Sequence, residues 1–95
     1  MTSFRDKVIE IVRNIPRGKV LTYSEVADMA GNLKAARVVG NIMSKNTNKD
    51  IPCHRVIKSD MKVGSYNGIL GKSKLDILKE EKVLFDNQGK VIRLS

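Results

Sequence analysis

Apolar residues recur at helical spacing in the N-terminal segment of the chain. They occupy the positions of one face of an amphipathic helix: Phe4, Val8, Ile11, Val12 and Ile15. Ser3, with Asp6 three residues further on, resembles a helix-capping pattern, and Pro16 with Gly18 ends the apolar run. The pattern therefore predicts a first helix over about residues 4–14.

Two further helical patterns follow and meet at a glycine. Thr22 opens a second capping pattern and Gly31 provides a C-terminal stop, which predicts a second helix over about 23–30. Asn32 can cap a third helix, whose apolar side is formed by Leu33, Ala36, Val39, Gly40 and Met43. Two short helices joined in this way are typical of a helix-turn-helix, here over about 23–45.

Shorter patterns fill the second half of the chain. The polar residues 44–50 predict a loop, and the apolar pair at 56–57 predicts a short strand. Ser73 can cap a fourth helix that runs to about Glu81. Apolar segments on both sides of DNQG predict a two-stranded wing hairpin over about 83–94. We therefore expect a mainly α, single-domain fold of the winged helix-turn-helix type with a small C-terminal β-hairpin.

Length and composition fit one ordinary globular domain. The chain has 95 residues, 41% of them hydrophobic and 29% charged. No apolar stretch reaches the ~20 residues that span a bilayer, and the N-terminus lacks the apolar core of a signal peptide. One histidine and one cysteine fall short of a metal-ligand cluster. We therefore expect a cytoplasmic protein with no membrane partner, metal or cofactor.

Charge points to a polyanionic partner. The net charge is +8 and the sequence pI is about 9.9. Residues 34–62 contain seven basic and two acidic side chains. Such a patch is typical of nucleic-acid binding, although small proteins are also basic for solubility alone.

The single cysteine and the single histidine are adjacent, in the segment IPCHRV at 51–56. A cysteine reacts as its thiolate, which an adjacent base or nearby cations favour. Neighbours in an extended segment face opposite sides, so a cooperating pair needs a turn, which Pro52 favours. The alternative is that Cys53 is a small buried hydrophobic residue and His54 a hydrogen-bonded surface residue.

Four ordered blocks carry a family resemblance. GKVLTYSEVA, AGNLKAARVVGNIMSKN, IPCHRV and VGSYNGILGKSKLDILKEE, within about residues 16–82, resemble the C-terminal domain of the O6-alkylguanine-DNA alkyltransferases. The resemblance implies a DNA repair protein that flips O6-alkylguanine out of double-stranded DNA. Such a protein moves the alkyl group irreversibly to its own cysteine in a single turnover, without a cofactor.

The resemblance also implies a proton relay. Cys53 matches the alkyl acceptor, and His54 matches the histidine that takes the thiol proton through a water. Glu80 matches the carboxylate that orients the histidine, and the neighbouring Glu81 is the alternative.

Two further positions match catalytic roles of the family. Tyr66 matches the tyrosine that donates a proton to the departing guanine, and Asn46 an asparagine that holds the active-site turn together. The loop after Tyr66 continues with Asn67 and Gly68, which we expect against DNA, and Ile69 stands where the family typically has glycine.

The DNA-handling residues match as well. Arg37 corresponds to the arginine that fills the space left by a flipped nucleotide, and Tyr23 to the tyrosine that helps to rotate the base out. Lys34, Lys45 and Arg55 are candidate DNA contacts. In the family the second helix of the motif enters the minor groove, where sequence is poorly readable.

Three other functions stay open. The small size and the terminal VLFDNQGKVIRL resemble alkyltransferase-like proteins, which bind alkylated guanine without repairing it and lack the cysteine. A winged-helix transcription regulator would explain the charge and the hairpin but not PCHRV. A cysteine hydrolase has no further nucleophile-base signature in its favour. In every case we expect a monomer in solution.

Overall fold

The computed structural model describes residues 3–64, 68 and 70–93. Within them, the structure has four α-helices and four two-residue strands, of which all but the first strand follow the predicted order. The helices are α1 (Phe4–Arg13), α2 (Tyr23–Met29), α3 (Ala36–Ser44) and α4 (Lys74–Glu80). The strands are β1 (Leu21–Thr22), β2 (Val56–Ile57), β3 (Leu84–Phe85) and β4 (Val91–Ile92). Two short 3₁₀ turns span Leu33–Ala35 and Cys53–Arg55. The mainly α winged fold predicted from the sequence is confirmed.

Side-chain caps begin three of the helices where the sequence predicted them. The Ser3 hydroxyl accepts a hydrogen bond from the backbone at the start of α1, and the Ser73 hydroxyl does so at the start of α4. At α2 the capping box is complete: Thr22 Oγ1 accepts from the Glu25 amide, and Glu25 Oε1 accepts from the Thr22 amide. These local bonds fix the beginning of each helix.

The third predicted helix is divided. Asn32 Oδ1 accepts a hydrogen bond from the Lys34 amide, two residues on, and the chain first makes the 3₁₀ turn Leu33–Ala35. The Asn32 side chain thus caps the 3₁₀ turn, and α3 itself has no side-chain cap. The α-helix therefore starts at Ala36, after the turn, while Gly31 takes the left-handed backbone (φ +101°) that separates α2 from this turn.

Two strand pairs complete the fold. Strands β3 and β4 are antiparallel, with Phe85 opposite Val91, which confirms the predicted wing hairpin. Strand β1 pairs in parallel with β2, with Leu21 opposite Val56. The sequence did not predict this parallel pair, which ties the segment before the helix-turn-helix to the segment that follows Cys53.

The buried side chains form two clusters that meet at β2. The helical cluster comprises Val8, Val12, Ile15, Val26, Ala27, Ala30, Val39, Met43, Ile51, Cys53 and Val56. The hairpin cluster comprises Val20, Ile57, Leu78, Val83 and Val91. Val56 and Ile57 are neighbours in β2 and point to opposite sides, so each enters a different cluster. No helix in the described part of the chain has the length and apolarity to cross a membrane.

Candidate active site

Cys53 opens a 3₁₀ turn between Pro52 and β2. The Arg55 amide donates to the Pro52 carbonyl at 2.9 Å, and the Cys53 amide donates to the Ile51 carbonyl at 2.8 Å. The predicted turn is therefore present. Cys53 is 4% exposed and packs in the helical cluster. Its burial agrees with the alternative in which Cys53 is a small buried residue of the core.

His54 is buried against a carboxylate. Its Nε2 lies 3.0 Å from Oε2 of Glu81, and both side chains are shielded from solvent. A carboxylate only accepts hydrogen bonds, so the neutral ring carries its proton on Nε2 and presents Nδ1 as the basic nitrogen. Across the residues described, no group of three potential ligands gathers as it would around a metal ion.

The carboxylate partner of His54 is Glu81 and not Glu80, which corrects the assignment made from the family pattern. The Glu80 side chain is 53% exposed and its Oε1 accepts from Lys72 Nζ at 2.7 Å. Glu80 is the last residue of α4 and Glu81 is its C-cap. Successive helical residues point about 100° apart, so one residue separates a solvent-facing position from one facing the core.

Arg55 also points inward, so the prediction that it contacts DNA is corrected. Its Nε donates to Oε1 of Glu81 at 2.9 Å and its Nη2 to Oε2 at 2.7 Å. Nη1 donates to the carbonyl of Ile15 at 2.8 Å. Only 17% of the side chain is exposed, and the guanidinium forms these hydrogen bonds inside the protein.

Burial and charge act on the two titrating partners in different ways. Burial lowers the pKa of His54, the hydrogen bond to Glu81 opposes this, and the positive charges of Arg55 and Lys74 add to the lowering. Burial alone would raise the pKa of Glu81, but the hydrogen bonds from Arg55 and His54 outweigh it and hold the pKa below its usual value. The geometry thus favours a neutral imidazole beside an ionised carboxylate.

Lys74 is a buried cation that the family pattern did not reveal. It is the first residue of α4, is 3% exposed, and its Nζ donates to Tyr23 Oη at 3.4 Å. Burial lowers the pKa of Lys74 to about 8, while the charge of Cys53 acts in the opposite direction. The helical spacing of Lys74, Ile77, Leu78 and Glu81 places all four on one face, and this signal in the sequence could have found it.

Tyr23 lines a groove on the protein surface and packs against the helical cluster that contains Cys53. Burial raises the pKa of Tyr23, and the charge of Cys53 raises it further. The groove, of about 540 Å³, is lined by Tyr23, Ala36, Arg37, Gly40, Asn41, Ser44, Lys58 and Ser59. None of these lining residues is acidic. The small side chains along α3 leave the groove accessible to a large ligand.

Three further predicted residues lie before and after α3. Lys34 is exposed in the 3₁₀ turn before α3, and Lys45 is exposed at the C-terminal end of α3. Asn46 Nδ2 donates to the carbonyl of Ile51 at 3.3 Å, and its Oδ1 accepts from the Asn48 amide at 3.0 Å, so it braces the loop that leads to Cys53.

Part of the predicted active-site loop falls outside the described residues. Tyr66, Asn67 and Ile69 lie there, and Gly68 is exposed with a left-handed backbone (φ +72°).

Sequence comparisons give a consistent result. The family model "6-O-methylguanine DNA methyltransferase, DNA binding domain" matches residues 3–83. A methylated-DNA--protein-cysteine methyltransferase of Methanothermobacter thermautotrophicus is 42% identical over 92% of this chain and 48% of its own length. The Homo sapiens protein of the same name is 43% identical over 70% of this chain and 33% of its own length. The chain thus spans about half or less of these relatives.

Two solved structures share the fold. S. pombe Atl1, in complex with damaged DNA containing O6-carboxymethylguanine, is 34% identical with a TM-score of 0.76 over 96% of this chain and 88% of that one. Mycobacterium tuberculosis OGT, in complex with DNA, is 36% identical with a TM-score of 0.76 over 86% of this chain and 50% of that one.

Proposed function

Because the chain belongs to the family of 6-O-methylguanine DNA methyltransferase DNA-binding domains, we propose that it repairs alkylated DNA by moving the alkyl group from O6 of guanine to Cys53. The observation that carries the proposal is the buried hydrogen bond between Glu81 and His54, the residue that follows the cysteine in the sequence. A cysteine that only packs in the core does not require an imidazole held by a buried carboxylate, whereas a cysteine that must lose its proton does.

Transfer is a displacement at the alkyl carbon. The neutral ring of His54 takes the thiol proton of Cys53 through a water, and Glu81 stabilises the imidazolium that forms. The thiolate attacks the alkyl carbon: a sulfur–carbon bond forms, the bond from that carbon to O6 breaks, and its electron pair passes to guanine. The guanine takes up a proton, for which the family resemblance assigns Tyr66 as donor. The resulting thioether is stable, so each molecule reacts once.

DNA binding is proposed for the groove on α3. The alkylated atom is unreachable inside the base stack, so the nucleotide must be flipped out at a cost of a few kcal/mol. We assign the filling of the gap to Arg37, which is exposed on α3 and lines the groove, and Tyr23 lines the same groove and packs against the cluster that contains Cys53. Lys34 and Lys45 would hold phosphates of double-stranded DNA approached from the minor groove.

A second candidate function is supported by the likeness to Atl1, which spans most of both chains. In this alternative the protein flips alkylguanine and signals the damage without transfer. The low exposure of Cys53 suits this alternative, because a sensor does not need a sulfur that is open to the alkyl group. Retention of Cys53 together with His54 and Glu81 favours transfer. In either case we propose a cytoplasmic monomer.

Intact-protein mass spectrometry separates the two functions. After incubation with a duplex containing O6-methylguanine, transfer adds the mass of one methylene, and peptide mapping places it on Cys53. The control protein Cys53→Ala should bind the same duplex without a mass change, and an unmodified duplex should leave both masses unchanged. Tight binding by the wild-type protein with an unchanged mass would reject transfer and support the sensor.

A further inference from the structure

Glu81 is shared between two side chains of the Cys53 turn. Its Oε2 accepts hydrogen bonds from His54 Nε2 at 3.0 Å and from Arg55 Nη2 at 2.7 Å, and its Oε1 accepts from Arg55 Nε at 2.9 Å. One guanidinium therefore takes both oxygens of the carboxylate, and the imidazole shares one of them. This two-oxygen geometry is the strong, directional form of the arginine–carboxylate pair.

Because Glu81 also binds Arg55, its effect on the protonation of the His54 imidazole changes. A buried carboxylate that faced His54 alone would attract a proton onto the imidazole and hold it as imidazolium. An imidazolium has no free electron pair with which to accept the thiol proton. Arg55 is permanently charged, so it neutralises much of the field of Glu81 while leaving one oxygen to orient the ring.

Other charged groups act on the ring as well. Lys74, from α4, carries a positive charge whose effect on His54 has the same sign as that of Arg55. Cys53 precedes His54 on the same turn, and its charge is felt by Tyr23 and Lys74. Among the described residues, the acid that acts on the ring is Glu81, and Arg55 is the cation bonded to it.

Arg55 is fixed by contacts on the far side of the site. Its Nη1 donates to the carbonyl of Ile15, in the connection between α1 and β1. The same connection places Arg17 Nη2 3.1 Å from the carbonyl of Glu80 and packs Gly18 against the carbonyl of Glu81. Reaching DNA would require Arg55 to break three hydrogen bonds, so its charge stays at Glu81.

We propose that Arg55 is a positioning residue of the Cys53 site: it holds both oxygens of Glu81, so that the carboxylate orients His54 without turning it into an imidazolium. The inference rests on the proposed alkyl transfer, in which His54 is the base. It is measurable without transfer, because His54 is the single histidine of the chain and gives unambiguous nuclear magnetic resonance signals.

The first test is a pH titration of His54 by ¹⁵N nuclear magnetic resonance in the DNA-free protein. In Arg55→Met the pKa of His54 should rise by about one unit or more, the effect expected of a lost neighbouring charge. The double variant Arg55→Met/Glu81→Gln should reverse that rise. The matched control is Arg17→Met, which removes an exposed arginine from the same region and should leave the titration unchanged. An unchanged or lowered pKa of His54 in Arg55→Met would overturn the inference.

Arg55→Lys provides a second variant that keeps the charge but loses the two-oxygen contact. It should give a smaller rise in the pKa of His54 and a loss of the fixed Nε2–H tautomer in the ¹⁵N spectrum. This variant decides the question if Arg55→Met does not fold. A wild-type pKa together with a wild-type tautomer in Arg55→Lys would refute the role of Arg55.

The rate of transfer from an O6-methylguanine duplex gives an independent readout. The acidic limb of its pH profile should move to higher pH in Arg55→Met by the same amount as the titration. Transfer with an unshifted titration would reject the role of Arg55 and leave the proposed function standing. A shifted titration in a protein that never transfers would reject the function and leave the role of Arg55 standing.

Discussion

At the scale of single residues, Glu80 and Glu81 have the same side chain and different surroundings. Glu80 forms an exposed pair with Lys72, whereas Glu81 is buried between His54 and Arg55. Exposed ion pairs contribute little to stability because water screens them. Removing one partner of a buried pair leaves a charge that nothing compensates.

The two glutamates therefore give a matched pair of variants. Glu81→Gln leaves Arg55 buried without its carboxylate and should lower the free energy of unfolding by about 3 kcal/mol or more. Glu80→Gln should change it by less than about 1 kcal/mol. Urea unfolding of both variants at neutral pH measures the difference. Similar losses in the two would contradict the assignment of Glu81 as the buried partner.

Because of Lys74, the stability of the protein should depend on pH in the alkaline range. Its pKa falls from 10.5 to about 8 in the folded protein, so between these values the unfolded chain binds more protons. Stability should therefore rise with pH over this interval, by up to about 3 kcal/mol at about 1.4 kcal/mol per pKa unit. Lys74→Met should lose this rise and be more stable than wild type below pH 8.

Urea unfolding between neutral pH and about pH 10 measures this dependence. The control is Lys72→Met, which removes an exposed lysine from the loop just before α4 and should keep the wild-type profile. A wild-type profile in Lys74→Met would show that the lysine is not the group responsible.

Part of the site was predictable residue by residue. The sequence indicated Cys53, His54 and the turn, because Pro52 and the unique neighbouring pair are local features. Motif matching alone could not choose between Glu80 and Glu81, since the choice depends on which face of α4 is buried. The inward direction of Arg55 was unpredictable because it depends on a carboxylate that is distant in the sequence.

At the scale of elements, caps explain why the helices were located well. Each cap is a bond between residues three apart, so the local sequence holds all the information needed. The pairing of β1 with β2 was not predictable, because strands of two residues show no periodicity and their partners are distant in the chain. That pairing joins the segment before α2 to the segment that follows the Cys53 turn.

Helix α3 offers a test of DNA binding that is separate from folding. Arg37 is exposed in the groove, so Arg37→Ala should leave the free energy of unfolding within about 0.5 kcal/mol of wild type. Affinity for a duplex with O6-methylguanine should fall about tenfold or more, because no side chain then fills the space that the flipped nucleotide leaves in the base stack. Fluorescence anisotropy with a labelled duplex measures the affinity.

Arg13→Ala on α1 removes an exposed arginine outside the groove and serves as the control for Arg37→Ala. Its affinity should match that of the wild-type protein, and Cys53→Ala should also bind normally. An equal loss of affinity in Arg37→Ala and Arg13→Ala would mean that net charge, and not the α3 groove, determines binding.

At the scale of the whole molecule, the candidate active site lies where the two core clusters meet. Cys53 belongs to the helical cluster, while Leu78, one helical turn before Glu81, belongs to the hairpin cluster. The hydrogen bonds of His54 and Arg55 to Glu81 join the two. Any change in the packing of one cluster against the other therefore changes the geometry around the sulfur.

The net charge of +8 predicts binding that weakens steeply with salt. Each lysine that neutralises a phosphate contributes about 0.9 to the slope of log K against log salt concentration. Lys34→Ala, in the turn before α3, and Lys45→Ala, at the end of α3, should each reduce the slope by about one on an undamaged duplex. Lys7→Ala removes one exposed charge from α1 and should leave the slope unchanged, although it lowers the net charge equally. Titrations from low to physiological salt measure all four proteins. A reduced slope in Lys7→Ala with an unchanged one in the α3 variants would place DNA on a different face of the molecule.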